Sequence, residues 1–349
     1  MKDDHILLDH GAGGKASHAL FSQEILPLFE NAELARQDDG AVLDLPGLSG
    51  QLAFSTDTYV VDPIFFPGGD IGDLAVNGTV NDIAMCGAKP LWISVGLIIE
   101  EGLSRTDLNR ILASMAGAAD KAGVKIVTGD TKVVPRGKAD RIFINTSGVG
   151  LIRPGVDVGG HNAKPGDKIL VSGTLADHGI TILSTREGLK FESDVKTDSA
   201  PLNHMAQALI ESDCHVHVLR DPTRGGLGTT LNEIAVQSGV EIRLRENEIP
   251  VKPAVAGICE LLGFDPLYLA NEGKMIAIVA EESAEKALAL MRENEFGKDA
   301  VIIGEVSRAL AVEGETDLSD SGGRVLLETG IGGVRPVDML TGEQLPRIC

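Results

Sequence analysis

The stretch from Gln37 to Ala88 constrains this chain more than any other, because it contains no Lys or Arg yet carries eight aspartates: Asp38, Asp39, Asp44, Asp57, Asp62, Asp70, Asp73 and Asp82. Its second half, Ile71 to Cys86, reads as a mostly apolar helix that a fold must bury. Within it Asp73, Asn77 and Asn81 recur at i, i+4 and i+8, which puts them on one face, with Asp82 adjoining. Burying an apolar helix with an uncompensated acidic stripe is costly unless the stripe meets a cation or a ligand. Positive charge must therefore come from elsewhere in the chain or from a bound ion. Magnesium is the natural candidate, because a few carboxylates hold it together with substrate phosphates; the plainer alternative is a solvated acidic face, against which the apolar neighbours argue.

The chain's 349 residues exceed one ordinary core and predict two packed domains, with the Gly- and Pro-rich stretch Arg153 to Asp167 between them. A hydrophobic content of 43% and a mean hydropathy of +0.09 are those of a soluble globular protein. The longest apolar runs, such as Leu91 to Ile99, are strand-sized, so no membrane span is expected. Met1-Lys2-Asp3-Asp4-His5 has acids where a secretory signal needs a basic and then an apolar segment, and the expected location is the cytoplasm. A net charge of −20 without a basic patch excludes nucleic acid as a partner. Cys86, Cys214, Cys259 and Cys349 form no Cys-x-x-Cys pair, which argues against a disulfide framework or a structural zinc site.

Several candidate functional groups sit where strands give way to loops. Asp9-His10-Gly11-Ala12-Gly13-Gly14-Lys15 precedes an amphipathic helix over 17–29. Its glycines would let backbone N–H groups approach a phosphate, which makes Gly11, Gly13, Gly14 and Lys15 nucleotide-binding candidates, although the loop lacks Walker spacing and also reads as a plain turn. Leu52 to Asp57 reads as a strand ending in a carboxylate. Ser104 caps a scaffold helix ending near Gly123, and the strand Val124 to Thr128 then delivers Gly129-Asp130-Thr131-Lys132 into a loop. A carboxylate and an amine leave that strand end together, as a metal ligand and a phosphate-neutralising group would. In the second half, Asp177-His178-Gly179 and Asp221-Pro222-Thr223-Arg224-Gly225-Gly226 each open a helix, and Glu272 lies on a loop ahead of the strand Met275 to Ala280, where a general base would sit. The last residue is Cys349. Pro346 biases Leu345 toward extended geometry, so the tail reads as a stiff arm carrying a thiol at its tip, or else as a frayed stump with an accidental cysteine.

Taken in series, Ser55-Thr56-Asp57, Asn81-Asp82-Ile83-Ala84-Met85-Cys86-Gly87-Ala88, Gly129-Asp130-Thr131 and Asp221-Pro222-Thr223-Arg224-Gly225-Gly226 resemble, over essentially the whole chain, the ATP-binding superfamily of aminoimidazole ribonucleotide synthetase. Selenophosphate synthetase and thiamine-monophosphate kinase belong to the same group. The terminal Pro346-Arg347-Ile348-Cys349 is similar to the tail of one branch, the HypE family of hydrogenase maturation factors. The resemblance implies a two-domain α/β (α+β) fold. Residues 1–155 would bind ATP and build a β-barrel across the two-fold axis of a homodimer, residues 156–335 would form a C-terminal α/β domain, and 336–349 a flexible tail. It implies ATP and Mg2+ in the cleft, with Asp57, Asp82, Asp130 and Asp221 as metal ligands. Asp73, Asn77, Gly129, Thr131 and Arg224 would surround the nucleotide, together with Asp57 and Asp130. In that family HypF carbamoylates the terminal cysteine, the thiocarboxamide is dehydrated to a thiocyanate, and cyanide passes to iron on a HypC and HypD complex for nickel-iron hydrogenase. Lys132 would neutralise the transferred phosphoryl group and Glu272 would serve as the base. Two alternatives remain: a small-molecule phosphotransferase with Cys349 idle, and a non-enzymatic ATP-gated module that presents its tail.

Overall fold

The structure, a computed structural model, describes residues 6–11, 14–29, 31–47, 49–189, 195–308, 323–342 and 345–349. Its N-terminal half contains helices α1 (Lys15–Leu20) and α2 (Leu26–Phe29), joined by a π-helical turn, Phe21–Ile25. These are followed by β1 (Ala41–Asp44), β2 (Gln51–Tyr59), a short hairpin of β3 (Phe65–Phe66) and β4 (Gly69–Asp70), α3 (Ile71–Met85), β5 (Lys89–Glu100), α4 (Arg105–Ala122), β6 (Lys125–Val134) and β7 (Ile142–Ile152). After the Gly- and Pro-rich stretch come β8 (Lys168–Val171), α5 (Asp177–Arg186), α6 (Asn203–Ile210), β9 (Val216–Arg220), α7 (Gly226–Ser238), β10 (Val240–Arg245) and α8 (Pro253–Leu262). The chain continues through β11 (Ile276–Val279), α9 (Ala284–Glu293), β12 (Val301–Arg308), β13 (Arg324–Glu328) and β14 (Val334–Pro336).

Helix α3 lies at the centre. A reciprocal cap starts it: Gly72 N–H donates to Asp70 Oδ1 at 2.8 Å, and Asp70 N–H donates to Asp73 Oδ1 at 2.6 Å. Leu74, Val76, Val80 and Ile83 are all fully buried, each worth about 1.5–3 kcal/mol relative to exposure. The helix packs on β2, β5 and β7, on α4, and on α6 and β9 of the second half. Asn77 and Asn81 of its polar stripe are therefore buried, and Asp73 and Asp82 are half-buried. Asn81 crosses to the other half of the molecule, donating to the Ala200 carbonyl at 3.1 Å and accepting from Leu202 N–H at 2.8 Å.

The first sheet runs β1-β2-β7-β5-β6. Alternation along β7 turns Ile142, Ile144 and Thr146 inward onto α3, and Tyr59, Ile93 and Val95 join them in the core. The other face is open: Phe54 and Trp92 flank Val149 across three strands and remain 42% and 50% exposed. Strand β6 pairs parallel to β5 and is exposed along almost its whole length as an edge. The second sheet runs β14-β13-β10-β12-β8-β11-β9 and is covered on both faces. Ile169 and Val171 of β8 face α7, while Leu170 faces α6 and α9. This accounts for the continuously apolar β8 and β11.

Two expectations change in detail. The strand after α4 does not stop at Thr128 but continues through Val134, so Gly129, Asp130, Thr131 and Lys132 lie within β6 and not in a loop. The first sheet of a single chain is open at β1 and β6 among the described residues, so the barrel expected across a two-fold axis needs a second copy. The tail is docked: Val60 N–H donates to a Cys349 carboxylate oxygen at 3.0 Å and Asp62 N–H to the Arg347 carbonyl at 3.3 Å. Arg347 has φ of 52°, which bends the arm that Pro346 was expected to keep straight.

Candidate active site

Four elements converge between the two halves. β2 turns Ser55, Asp57 and Tyr59 to its inner side, and α3 presents Gly78 and Asp82, one turn apart, to the same space. β9 ends at Arg220 and hands Asp221 to the turn before α7, while Glu272 lies just ahead of β11. Asp57, Gly78, Asp82, Asp221 and Glu272 line a cavity of about 230 Å³ with Asp39, Thr56, Thr223, Arg224 and Cys349. Gly78 is required where it stands, because a Cβ there would run into the Tyr59 hydroxyl. The turn into α7 needs the Gly225-Gly226 pair, with φ of 77° and 61°, since a Cβ on Gly226 would approach the Leu267 carbonyl oxygen to 2.6 Å. A larger cleft of about 750 Å³ shares Asp39, Thr56 and Arg224 and extends past Phe21 and Gln237.

Burial dominates the electrostatics. It raises Asp39, Asp82 and Glu272 well above the ordinary carboxylate range and Asp221 to about 6. Neighbouring carboxylates add to the effect: Asp221 and Asp57 act on Asp82, and Asp57 and Asp221 on Glu272. The cations missing from 37–88 come from the second half. Arg220 Nε sits 2.8 Å from Asp39 Oδ1 and its Nη2 sits 2.7 Å from Glu233 Oε2, while Arg224 opposes the upward shift of Glu272. Asp39 Oδ2 and Glu272 Oε1 are buried without a hydrogen-bond partner among the described residues. This set of hard oxygen donors with surplus negative charge fits Mg2+, which Asp57, Asp82 and Asp221 would hold. Among the described residues no three His, Cys, Asp or Glu side chains already form a metal cage. That suits an ion that keeps waters and shares phosphate oxygens.

Cys349 enters the cavity from the docked tail, behind Ile348, which is only 5% exposed. Burial, and then Glu272, pushes the thiol well above its ordinary value, with Arg224 opposing. The residue is therefore seated as a neutral thiol, which avoids placing a thiolate among carboxylates.

Asp57, Asp82, Asp221, Arg224, Glu272 and Cys349 thus come together. Other candidates do not join them. Asp73 caps α3 and accepts from Ser199 Oγ at 2.7 Å, and Asn77 donates to the same hydroxyl at 3.0 Å; both line a separate groove with Asp70 and Arg110. Their spacing put them on one face of α3, but the cavity meets the adjacent face, through Gly78 and Asp82. Asp130 and Lys132 are exposed on β6 and pair with each other at 2.5 Å, and β5 and β7 separate their strand from β2. Lys132 holds the Asp130 carboxyl below its usual range. Gly129 and Thr131 lie on the same edge strand. Lys15 N–H donates to the Leu340 carbonyl at 2.9 Å, a contact that leaves no room for a side chain at Gly14. The Gly11 carbonyl accepts from Arg224 at 3.4 Å, so this loop borders the tail at the rim of the site. Gly13 lies outside the described residues. Sequence reasoning assigned no role to Asp39, Gly78, Arg220 and Thr223. For Asp39 and Arg220 the signal was available, in an acidic stretch without cations and an arginine immediately before Asp221.

Two family models cover the chain: AIR synthase related protein, N-terminal domain, over residues 37–152, and AIR synthase related protein, C-terminal domain, over 164–314. The carbamoyl dehydratase HypE of Azotobacter vinelandii is 49% identical over 349 residues, covering 100% of this chain and 98% of that protein. A solved hydrogenase maturation protein HypE in complex with ATP superposes with a TM-score of 0.81 at 54% identity, covering 99% of this chain and 100% of that one. A HypE-HypF complex gives a TM-score of 0.84 at 46% identity over 92% of this chain and 100% of that one. With full-length identity near one half and both domain families matched in order, this chain belongs to the HypE carbamoyl dehydratase family of AIR synthase related proteins.

Proposed function

We propose that the chain uses ATP and magnesium to dehydrate a carbamoyl group carried on its own Cys349, converting S–C(=O)–NH2 to S–C≡N. One observation carries this reading: the terminal thiol sits in the cavity lined by Asp57, Asp82, Asp221, Arg224 and Glu272. The name of the A. vinelandii relative and the HypE–ATP complex support it. The adjoining 750 Å³ cleft has the size of a nucleotide site.

The carbamoyl oxygen is a very poor leaving group. Transfer of the ATP γ-phosphoryl group to that oxygen turns it into a phosphate; the C–O bond then breaks as both nitrogen protons leave, giving the nitrile, phosphate and ADP. Positioning and charge do most of the work in such a transfer. Magnesium held by Asp57, Asp82 and Asp221 would screen the phosphoryl charge. Arg224, beside Cys349, supplies fixed positive charge where the phosphorylated oxygen develops. Glu272 takes a nitrogen proton in its ionised form, which Arg224 favours; burial makes that carboxylate more basic, and its Oε1, unpartnered among the described residues, leaves an acceptor for the proton.

The open apolar face around Phe54 and Trp92 and the exposed β6 edge support a homodimer. Only a second copy could then bring Asp130 and Lys132 to a cavity. HypF, which stands beside HypE in a solved complex, would load the carbamoyl group, and a HypC and HypD complex would receive the cyanide. No described helix is long and apolar enough to cross a membrane, and we assign the reaction to the cytoplasm. The test is the intact mass of the protein after incubation with HypF, a carbamoyl donor and magnesium-ATP. Cys349 gains one carbamoyl group and then loses one water; a carbamoyl adduct that persists with ATP present overturns the dehydratase reading.

A further inference from the structure

The docked tail is held by its backbone, and helix α5 supplies much of the grip. Arg186, in its last turn, donates through Nη1 to the Pro346 carbonyl at 2.6 Å and through Nη2 to the Arg347 carbonyl at 2.8 Å. Its Nε donates to the Asp62 carbonyl at 2.8 Å, which ties the tail to the loop after β2. His178, in the first turn of α5, lies 2.8 Å from the Ile348 carbonyl through Nε2 and 2.7 Å from the Thr197 hydroxyl through Nδ1. Burial lowers its pKa, so the ring is neutral. A carbonyl can only accept, so Nε2 carries the proton and Nδ1 accepts from Thr197 Oγ1. Three consecutive tail carbonyls are thus met by two side chains of one helix. A carboxylate oxygen of Cys349 accepts from Val60 N–H at 3.0 Å.

None of these contacts involves the sulfur. A grip on carbonyls is indifferent to whether Sγ carries a proton, a carbamoyl group or a nitrile. It fixes the register of the last residue instead, because each carbonyl has its own donor. We propose that Arg186 and His178 form a clamp on the tail backbone that sets how much of the time Cys349 occupies the cavity. They are positioning residues for the dehydration step and not for loading, which needs the tail outside. This role rests on the dehydratase reading above; the clamp itself does not.

The experiment follows Cys349 directly in a background with Cys86, Cys214 and Cys259 replaced by serine. Maleimide reacts with the cysteine of an undocked tail, so its rate reports the open population. Arg186→Met should raise that rate about tenfold, equivalent to about 1.4 kcal/mol of docking free energy, with Arg186→Lys intermediate. ATP binding and the unfolding midpoint should stay at the parent's values. A glycine inserted between Arg347 and Ile348, which shifts only the tail, should raise the rate likewise. With HypF and a carbamoyl donor, Arg186→Met should load faster than the parent, by up to about tenfold, and lose water no faster than the parent. An alkylation rate within about twofold of the parent in both Arg186→Met and the insertion variant overturns the clamp, since a factor of two is well below the expected shift. A parent protein that loads but never loses water overturns the dehydratase reading, and the alkylation arm still decides the clamp.

Discussion

The cavity and the β6 edge use the same residue types to opposite ends. On β6, Asp130 and Lys132 face water, neutralise each other at 2.5 Å, and the carboxyl is held below its usual range. In the cavity, Asp39, Asp82, Asp221 and Glu272 are buried, and Arg220 and Arg224 do not balance them, so their pKa values rise. The exposed pair is complete in itself and gains little from an ion. The buried set is unfavourable until a cation or a proton arrives, and in the proposed reaction that imbalance would draw magnesium, and phosphate through it, to one place.

The largest expected effect tests the buried set. Asp82→Asn keeps the shape and removes the charge, and should lower magnesium-dependent ATP turnover by about a hundredfold while the melting temperature holds. Unchanged turnover at limiting magnesium would remove the cavity from metal binding. Lys132→Ala should leave stability unchanged and slow water loss from carbamoylated Cys349 about tenfold, provided a second copy brings β6 to the site. A normal rate would reduce the β6 pair to surface decoration.

The smallest effect is on stability. Asp221 has a native pKa of about 6 against an unfolded value near 3.8, so the native state holds its proton more tightly. That contribution is fully present below the unfolded value and is lost as pH rises through about 6. Metal-free protein should therefore gain about 1 kcal/mol from Asp221 on going from pH 7 to pH 5, and Asp221→Asn should flatten the slope by that amount. Calorimetry of the two proteins at pH 5, 6 and 7 measures it; identical slopes contradict the assignment.

Much of this was legible without coordinates. The apolar run 71–85 and Ser104 before an amphipathic stripe are local signals, and α3 and the capped α4 follow them. Asp57, Asp82, Asp221, Glu272 and Cys349 were separately suspicious and do meet in one cavity. Helical spacing groups Asp73 with Asn77 but cannot say which face of a helix buried all round meets the site, and that answer depends on what packs from the second half. Thr128 to Lys132 continues as a strand because β5 pairs with it in register, a long-range contact that local composition does not encode. The bend at Arg347 and the hold of α5 on the tail arise from residues more than 150 positions apart.

The central claim is that the cavity acts on the cysteine the chain inserts into it. Glu272→Gln tests it most directly, since it removes the assigned proton acceptor while keeping a polar side chain of the same size at that wall of the cavity. Followed by intact mass with HypF, a carbamoyl donor and magnesium-ATP, the parent should pass through the carbamoyl adduct to the dehydrated form. The Glu272→Gln variant should bind ATP, load Cys349 and stop at the carbamoyl adduct. Loss of water from that variant at the parent's rate would contradict the account.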